Sequence, residues 1–252
     1  MDRLIWTAVS GMNASMARQR MIASNMANSQ TPGFRAEVMA STPMTLQSGT
    51  LESASLEVRA LNDAAVYGAQ MDQGALVQTA RPLDVALQGD TLLSVQAADG
   101  SEAYTRRGDL AVSPAGLVTN GDGLAVIGEN GPISVPPGST VSIGADGAVL
   151  AASGTDSTVP PQQVARLKLV SWRGSDIAKG LDGQFRVTGG GALPQDAEAR
   201  LVSGALEQSN VRPSQVLIEM VEAQRLFDMR TKLVATAKEL DEGGATLMRM
   251  NA

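Results

Sequence analysis

Few side chains in this sequence could do chemistry. Histidine and cysteine are both absent. That removes the commonest general base and metal ligand and excludes thiol catalysis, disulfides and cysteine-held zinc. Carboxylates remain. Asn120 and Asp122, with Gly123 beside them, place side-chain oxygens close together, which suggests calcium, but the spacing is not that of an EF-hand and a hairpin turn is the better reading. Asp241 and Glu242 are paired acids that could exchange protons, yet near a helix end they read as solvated charges. No GxSxG, complete P-loop or GxGxxG is present. We therefore assign no catalytic, cofactor-binding or metal-binding residue and expect no enzyme, no cofactor and no small-molecule substrate. The rival reading, a carboxylate-dependent hydrolase, requires an acidic cleft in the middle of the chain.

Composition points to packing instead. Apolar residues make up 43% of 252 residues, but aromatics only 3%, so a core must come from aliphatic side chains. The 12 methionines suit adaptable core or subunit packing better than a cofactor box. Charge is uneven: residues 1–28 are net +2, residues 212–252 net 0 and residues 29–211 net −8. An acidic middle argues against nucleic-acid binding. The N-terminus lacks an unbroken apolar region, with Ser10, Asn13 and Ser15 interrupting it, so a cleaved signal peptide is not expected. No stretch approaches a membrane span.

The elements that must position these residues divide by glycine. None of the 26 glycines lies in 12–28 or 212–242, so both ends read as helices. At the N-terminus Ile5, Val9, Met12, Met16, Ala23 and Met26 form an incomplete apolar stripe, interrupted near Gln19 and Arg20. At the C-terminus Val216, Met220, Ala223, Phe227, Val234 and Ala237 form another, broken at Arg230 or Thr231. Pro213 suits a first helical turn, Asn210 is a possible cap, and Gly243-Gly244 a plausible stop. Between the helices, Asp-Gly and Asn-Gly pairs at 99, 120, 122, 130, 146 and 182 mark tight turns separating short apolar runs. Residues 164–172 alternate like one half-buried strand. The stretch 40–56 reads as extended or loop-like, and 151–161 as an exposed loop. The expected fold is α+β: paired N- and C-terminal α-helices (1–35 and 206–252, a discontinuous helical domain) flanking a central antiparallel β domain (76–205), with 36–75 as an extended connection.

One segment is more specific. Residues 25–35 (NMANSQTPGFR) end the first helix abruptly. Asn28 can close its last turn, Pro32-Gly33 suits the centre of a type II turn with positive φ at Gly33, and Phe34 then becomes an apolar anchor. This segment resembles the flagellar rod and hook protein family, whose motif A-N-x-x-T-x-G-F/Y-[KR] matches Ala27, Asn28, Thr31, Gly33, Phe34 and Arg35. The resemblance covers nearly the whole chain. Residues 83–90 (LDVALQGD) resemble the family's L-D-V-A-I-x-G, with Thr91-Leu92-Leu93 standing where the family has G-F-F. Residues 104–110 (YTRRGDL) resemble Y-T-R-x-G-x-F. Residues 204–211 (GALEQSNV), with Leu206, Glu207, Ser209, Asn210 and Val211, resemble the G-x-L-E-x-S-N-V before the family's last helix. Arg225 and Phe227 match a further position there, and Met220 joins them as a packing residue. Residues 1–8 and the length resemble proximal-rod members; distal-rod members are the alternative.

The resemblance implies a structural subunit of the bacterial flagellar basal body, in the rod that spans the periplasm. Its terminal helices would stack around a tube axis, the β domain would lie outside, and the assembly would transmit torque. It further implies partners: other rod subunits, neighbouring copies of the same chain, and the flagellar type III export apparatus, which passes unfolded chains.

Overall fold

A computed structural model describes residues 2–45, 59–153 and 160–250. The chain forms two compact units: residues 1–27, 37–68 and 212–252 make the first, and residues 28–36 and 69–211 the second. Residues 46–58 and 154–159 lie outside the described residues, and with them most of the stretch 40–56 read as extended or loop-like and part of the expected loop 151–161, as do the side chains of Ile5 and Ala237.

The first unit is a helix pair with a ribbon. Helix α1 spans Asp2–Ala27 and helix α2 spans Pro213–Met250, and the two pack against each other. Strands Glu37–Thr45 and Arg59–Ala69 pair with each other, so residues 40–45 of the stretch read as extended or loop-like are part of a β ribbon. Pro213 opens α2 because its missing N–H would be unsatisfied there anyway. The Gly243-Gly244 stop is not used: α2 continues to Met250. Glycine costs only about 1 kcal/mol in a helix interior and keeps its N–H, so without a proline the ladder propagates.

The second unit is antiparallel β. Its largest sheet has five strands in the order Leu169–Ser171, Thr91–Gln96, Glu102–Thr105, Phe185–Val187, Ile177–Lys179. Strand Thr91–Gln96 has apolar residues on both faces. Leu93 and Val95 join the main core with Val85, Leu87, Leu110, Val126 and Leu167. Leu92 joins a smaller cluster with Tyr104, Val170, Phe185 and Leu193. Thr91, Leu92 and Leu93 are all buried, so aliphatic side chains fill the place where the family carries aromatics. A three-stranded sheet adds Ser139–Ile143, Ala148–Ser153 and Gln162–Arg166.

Residues 164–172 are not one strand. Gln162–Arg166 belongs to the three-stranded sheet and Leu169–Ser171 to the five-stranded one. At the crossing, the Leu167 N–H donates to Gly147 O and the Lys168 N–H to Ile127 O. Alternation alone does not reveal that a strand changes partners. Residues 151–153 likewise continue a strand rather than starting the expected loop.

Candidate assembly site

The turn after α1 forms as its residue types dictate. Thr31 N–H donates to Asn28 O at 3.1 Å, and the Thr31 hydroxyl to Asn28 Oδ1 at 3.2 Å. Phe34 N–H closes onto Thr31 O at 3.2 Å, which puts Pro32 and Gly33 at the centre of the turn with Gly33 at φ 68°. A second constraint is long-range. Gly33 N–H donates to Glu207 O at 2.7 Å, and a Cβ on Gly33 would lie 2.3 Å from Arg106 O. Phe34 stays half-buried, with Lys179 Nζ 3.5 Å from its ring centroid, a cation–π contact. The same ammonium donates to Arg35 O.

That turn delivers Arg35 into a buried ion cluster. Arg35 Nη2 lies 2.6 Å from Glu207 Oε1, with the two side chains 0% and 1% exposed. Arg106 Nε and Nη2 both donate to Glu207 Oε2, at 2.9 and 2.6 Å. Arg106 spends its remaining donors on Leu87 O, Gly89 O and Thr91 O, so all five guanidinium N–H groups are used. Glu207 Oε1 also accepts Gly74 N–H at 2.8 Å. Arg35 is less well served: among the described residues its Nε and Nη1 have no hydrogen-bond partner. Burial pushes its pKa below the usual arginine value, with Glu207 opposing and the like charge of Arg106 adding to the fall. The carboxylate between two guanidiniums is sealed and cannot serve as a general base. Its effect is mechanical: it ties residues 28–36, 87–106 and 204–208 together.

Asn210 is part of the same unit and is not the cap of α2. Its Oδ1 accepts Ala36 N–H at 2.7 Å, and its Nδ2 donates to Gln70 O and Asp72 O. A side chain with these longer-range backbone partners is taken away from the helix start. Ser209 Oγ accepts Val211 N–H at 3.2 Å, and Val211 is buried. Leu206 is half-buried in strand Ala205–Glu207.

In the first unit Asn25 is buried, and its amide takes both main-chain groups of Glu37: Glu37 N–H to Oδ1 at 2.8 Å and Nδ2 to Glu37 O at 3.0 Å. The buried face of α1 carries Ser15, Met21, Ile22 and Asn25. The apolar spacing pointed to a neighbouring face instead, and Met16 and Ala23 of that stripe are exposed. The difference arises because two polar positions, Ser15 and Asn25, are buried through hydrogen bonds that an apolar count cannot register. Arg230, which interrupted the C-terminal stripe, donates to Gly11 O and Ser15 Oγ and so lies in the seam.

Helix α2 buries Val216 and Ala223 and half-buries Phe227 and Val234. Met220, Arg225 and, on α1, Ala27 are exposed. Its other faces are also apolar: Ile218 is 62% exposed, Met229 59%, Leu233 61%, Val221 54% and Leu217 49%. These exposed apolar side chains are interleaved with the exposed charges of Glu222, Arg225, Asp228 and Lys232.

The acidic cleft of the hydrolase reading finds no support in these carboxylates. Arg107 binds Asp109 through Nε and Nη2 and Asp122 through Nη1. Asn120 Oδ1 accepts Asp122 and Leu124 N–H, so this segment is a turn. A hydrogen bond from Arg166 lowers the pKa of Asp146, and one from Arg186 lowers that of Asp182. Among the described residues no group of three or more acidic side chains is placed to hold a metal, and no helix is long and apolar enough to cross a membrane.

Comparison with known proteins matches three stretches to family models: residues 5–35 to "Flagella basal body rod protein", 86–151 to "Flagellar hook protein FlgE/F/G D1 domain" and 202–247 to "Flagellar basal body rod FlgEFG protein C-terminal". The chain is 42% identical to the flagellar basal-body rod protein FlgF of Salmonella typhimurium, covering 100% of both chains. It is also 42% identical to FlgF of Escherichia coli, covering 95% of each. Similarity to the rod protein FlgG of Borreliella burgdorferi is 26%, over 95% of this chain and 96% of that one.

Proposed function

Because the chain belongs to the flagellar basal-body rod family, a family of structural, non-enzymatic subunits, we propose that it builds the proximal part of the rod. Helices α1 and α2 pack among the helices of neighbouring subunits around the axis of the tube, and the β unit lies outside them. The subunit reaches the rod through the flagellar export apparatus as an unfolded chain, and once assembled it transmits torque across the periplasm. Its partners are copies of itself and other rod subunits. The identity to FlgF over full length supports the proximal position.

The observation that carries the reading is the second apolar face of α2. Ile218, Val221, Met229 and Leu233 stand exposed on a helix whose opposite face is already packed. Four large apolar side chains exposed along one helix, beside a packed seam, fit a surface that another chain covers. Assembly through such a face requires complementarity rather than bond making, and methionine adapts to neighbours of different shape. The test is a tagged copy located by electron microscopy in isolated basal bodies, beside an Ile218→Asp variant. Label at the membrane-proximal end of the rod, lost in the variant, supports the reading. Label at the distal end transfers the chain to the distal rod, and label outside the rod overturns the proposal.

A further inference from the structure

We infer that Asn130 is a site of spontaneous chemical modification, losing its side-chain amide to the main-chain nitrogen of Gly131, and that the fold withholds the same reaction from Asn120. The sequence holds two Asn-Gly pairs, at 120–121 and 130–131. Both have the local ingredients, because glycine carries no side chain to shield its nitrogen from the preceding carboxamide. At Asn130 the bond from Gly131 N to Cγ forms and the Cγ–Nδ2 bond breaks. Nδ2 leaves as ammonia with the proton from Gly131 N, and a succinimide ring remains. Water then opens the ring. Cleavage between Cγ and the ring nitrogen gives aspartate. Cleavage between the Asn130 main-chain carbonyl carbon and that nitrogen gives isoaspartate, whose main chain runs through Cβ and Cγ. Either way one water is consumed, one ammonia is released and one negative charge is gained.

The structure separates the two pairs. Asn120 is 2% exposed. Its Oδ1 accepts Asp122 N–H at 3.0 Å and Leu124 N–H at 2.9 Å, and its Nδ2 donates to Asp122 Oδ2 at 3.5 Å. A Cβ on Gly121 would collide with Asp109 Oδ2 and Arg107 Nη2, so the turn is closely packed there. Ring closure must swing Cγ onto the next nitrogen and rotate the main chain. At Asn120 that gives up hydrogen bonds inside the protein, which is costly.

Asn130 is held by none of this. It is exposed, and among the described residues its carboxamide has no hydrogen-bond partner. In the comparable turns Asp99, Asp146 and Asp182 accept the N–H two residues on, from Ser101, Ala148 and Gln184. Two residues after Asn130 stands Pro132, which has no N–H to offer. Gly131 sits at φ 114°, and a Cβ there would meet nothing within 4 Å, so the ring has room. The flanking strands, Ile127–Gly128 and Gly131–Pro132, are two residues each, so little ladder resists the rotation. Isoaspartate at this position lengthens the main chain just before Ile133, which is buried.

The test incubates the purified full chain for weeks in neutral buffer, folded and, in parallel, in denaturant. Peptides covering both pairs are then sequenced by mass spectrometry with electron-transfer fragmentation, which tells isoaspartate from aspartate. In the folded chain residue 130 is expected to show the amide-to-acid mass gain, richer in isoaspartate, while Asn120 stays unchanged. In denaturant both positions are expected to convert at similar rates. Equal conversion of Asn120 and Asn130 in the folded chain overturns the proposal, and so does a folded chain that keeps Asn130 intact. An Asn120 that stays inert in denaturant overturns the protective role of the fold.

Discussion

The β unit and the helix pair are held together by opposite means. In the β unit, Val85, Leu87, Leu93, Val95, Leu110 and Leu167 are sealed from solvent, and the deepest polar side chains, Arg35, Arg106 and Glu207, neutralise one another in part. Each aliphatic side chain buried in this way contributes about 1.5–3 kcal/mol, so the unit can stand on its own core. The helix pair buries Ile22, Met21, Val216 and Ala223 while Ile218, Met229 and Leu233 remain in water. Long helices with thin cover are marginal alone and gain their stability from packing. The contrast teaches that one part of the chain is finished within the subunit and the other is completed by neighbours.

The largest break of that comparison should come from Glu207→Gln. Removing the carboxylate leaves two buried guanidiniums without their counterion, and breaking a buried pair in this way costs about 3–5 kcal/mol. Denaturant melting of the β unit should register it. A variant that melts like the wild type would show that the cluster does not hold the unit. Replacing all three with Arg35→Met, Arg106→Leu and Glu207→Met should recover only part of the loss, since it removes the unpaired charges but also the partners of Leu87 O, Gly89 O, Thr91 O and Gly74 N–H.

Gly33→Val comes next. Positive φ at a β-branched residue costs about 1–2 kcal/mol, and the new Cβ would also meet Arg106 O. The loss should appear in β-unit melting, because Gly33 N–H is bonded to Glu207 O. An unchanged midpoint would mean that the turn relaxes freely.

Phe227→Ala tests the other region. Phe227 is only half-buried in the single chain, so its removal should cost the helix pair about 1–2 kcal/mol and leave β-unit melting alone, while rod incorporation fails. A clear fall in the β-unit midpoint would contradict the division described above.

Two smaller effects sharpen the contrast. Ala80 sits at φ 59°, the one non-glycine residue described there, and Ala80→Gly should raise β-unit stability by about 1 kcal/mol or less; destabilisation would show that its methyl packs usefully. Ile218→Asp should leave the melting of the free subunit unchanged within error and still abolish incorporation. Normal incorporation would mean that this face is not covered in the rod.

What the sequence made legible was mostly local. Both helices, the Pro32-Gly33 turn and the Asp-Gly hairpins follow from nearby residues, because propensity, φ restriction and apolar spacing act over a few positions. The resemblance singled out Arg35 and Glu207 without saying that they meet, and Arg106 lay in a matched segment without standing out. Nothing in composition pairs charges that far apart in the chain. The buried face of α1 was missed for a related reason: Ser15 and Asn25 are inside only because Arg230 and the Glu37 main chain satisfy them. The change of partners at Leu167 and Lys168 was hidden because both flanking strands alternate in the same way.

The ion cluster also has a consequence in time. A chain that appears from its N-terminus presents Arg35 first, Arg106 later and Glu207 near the end. Until residue 207 arrives, two cations destined for the interior lack their anion, and the Gly33 N–H lacks its acceptor. Desolvating them early is unfavourable, so the N-terminal turn stays hydrated and unset. A chain broken before residue 207 lacks the end of strand Ala205–Glu207 and leaves Arg35 and Arg106 without the anion that lies between them.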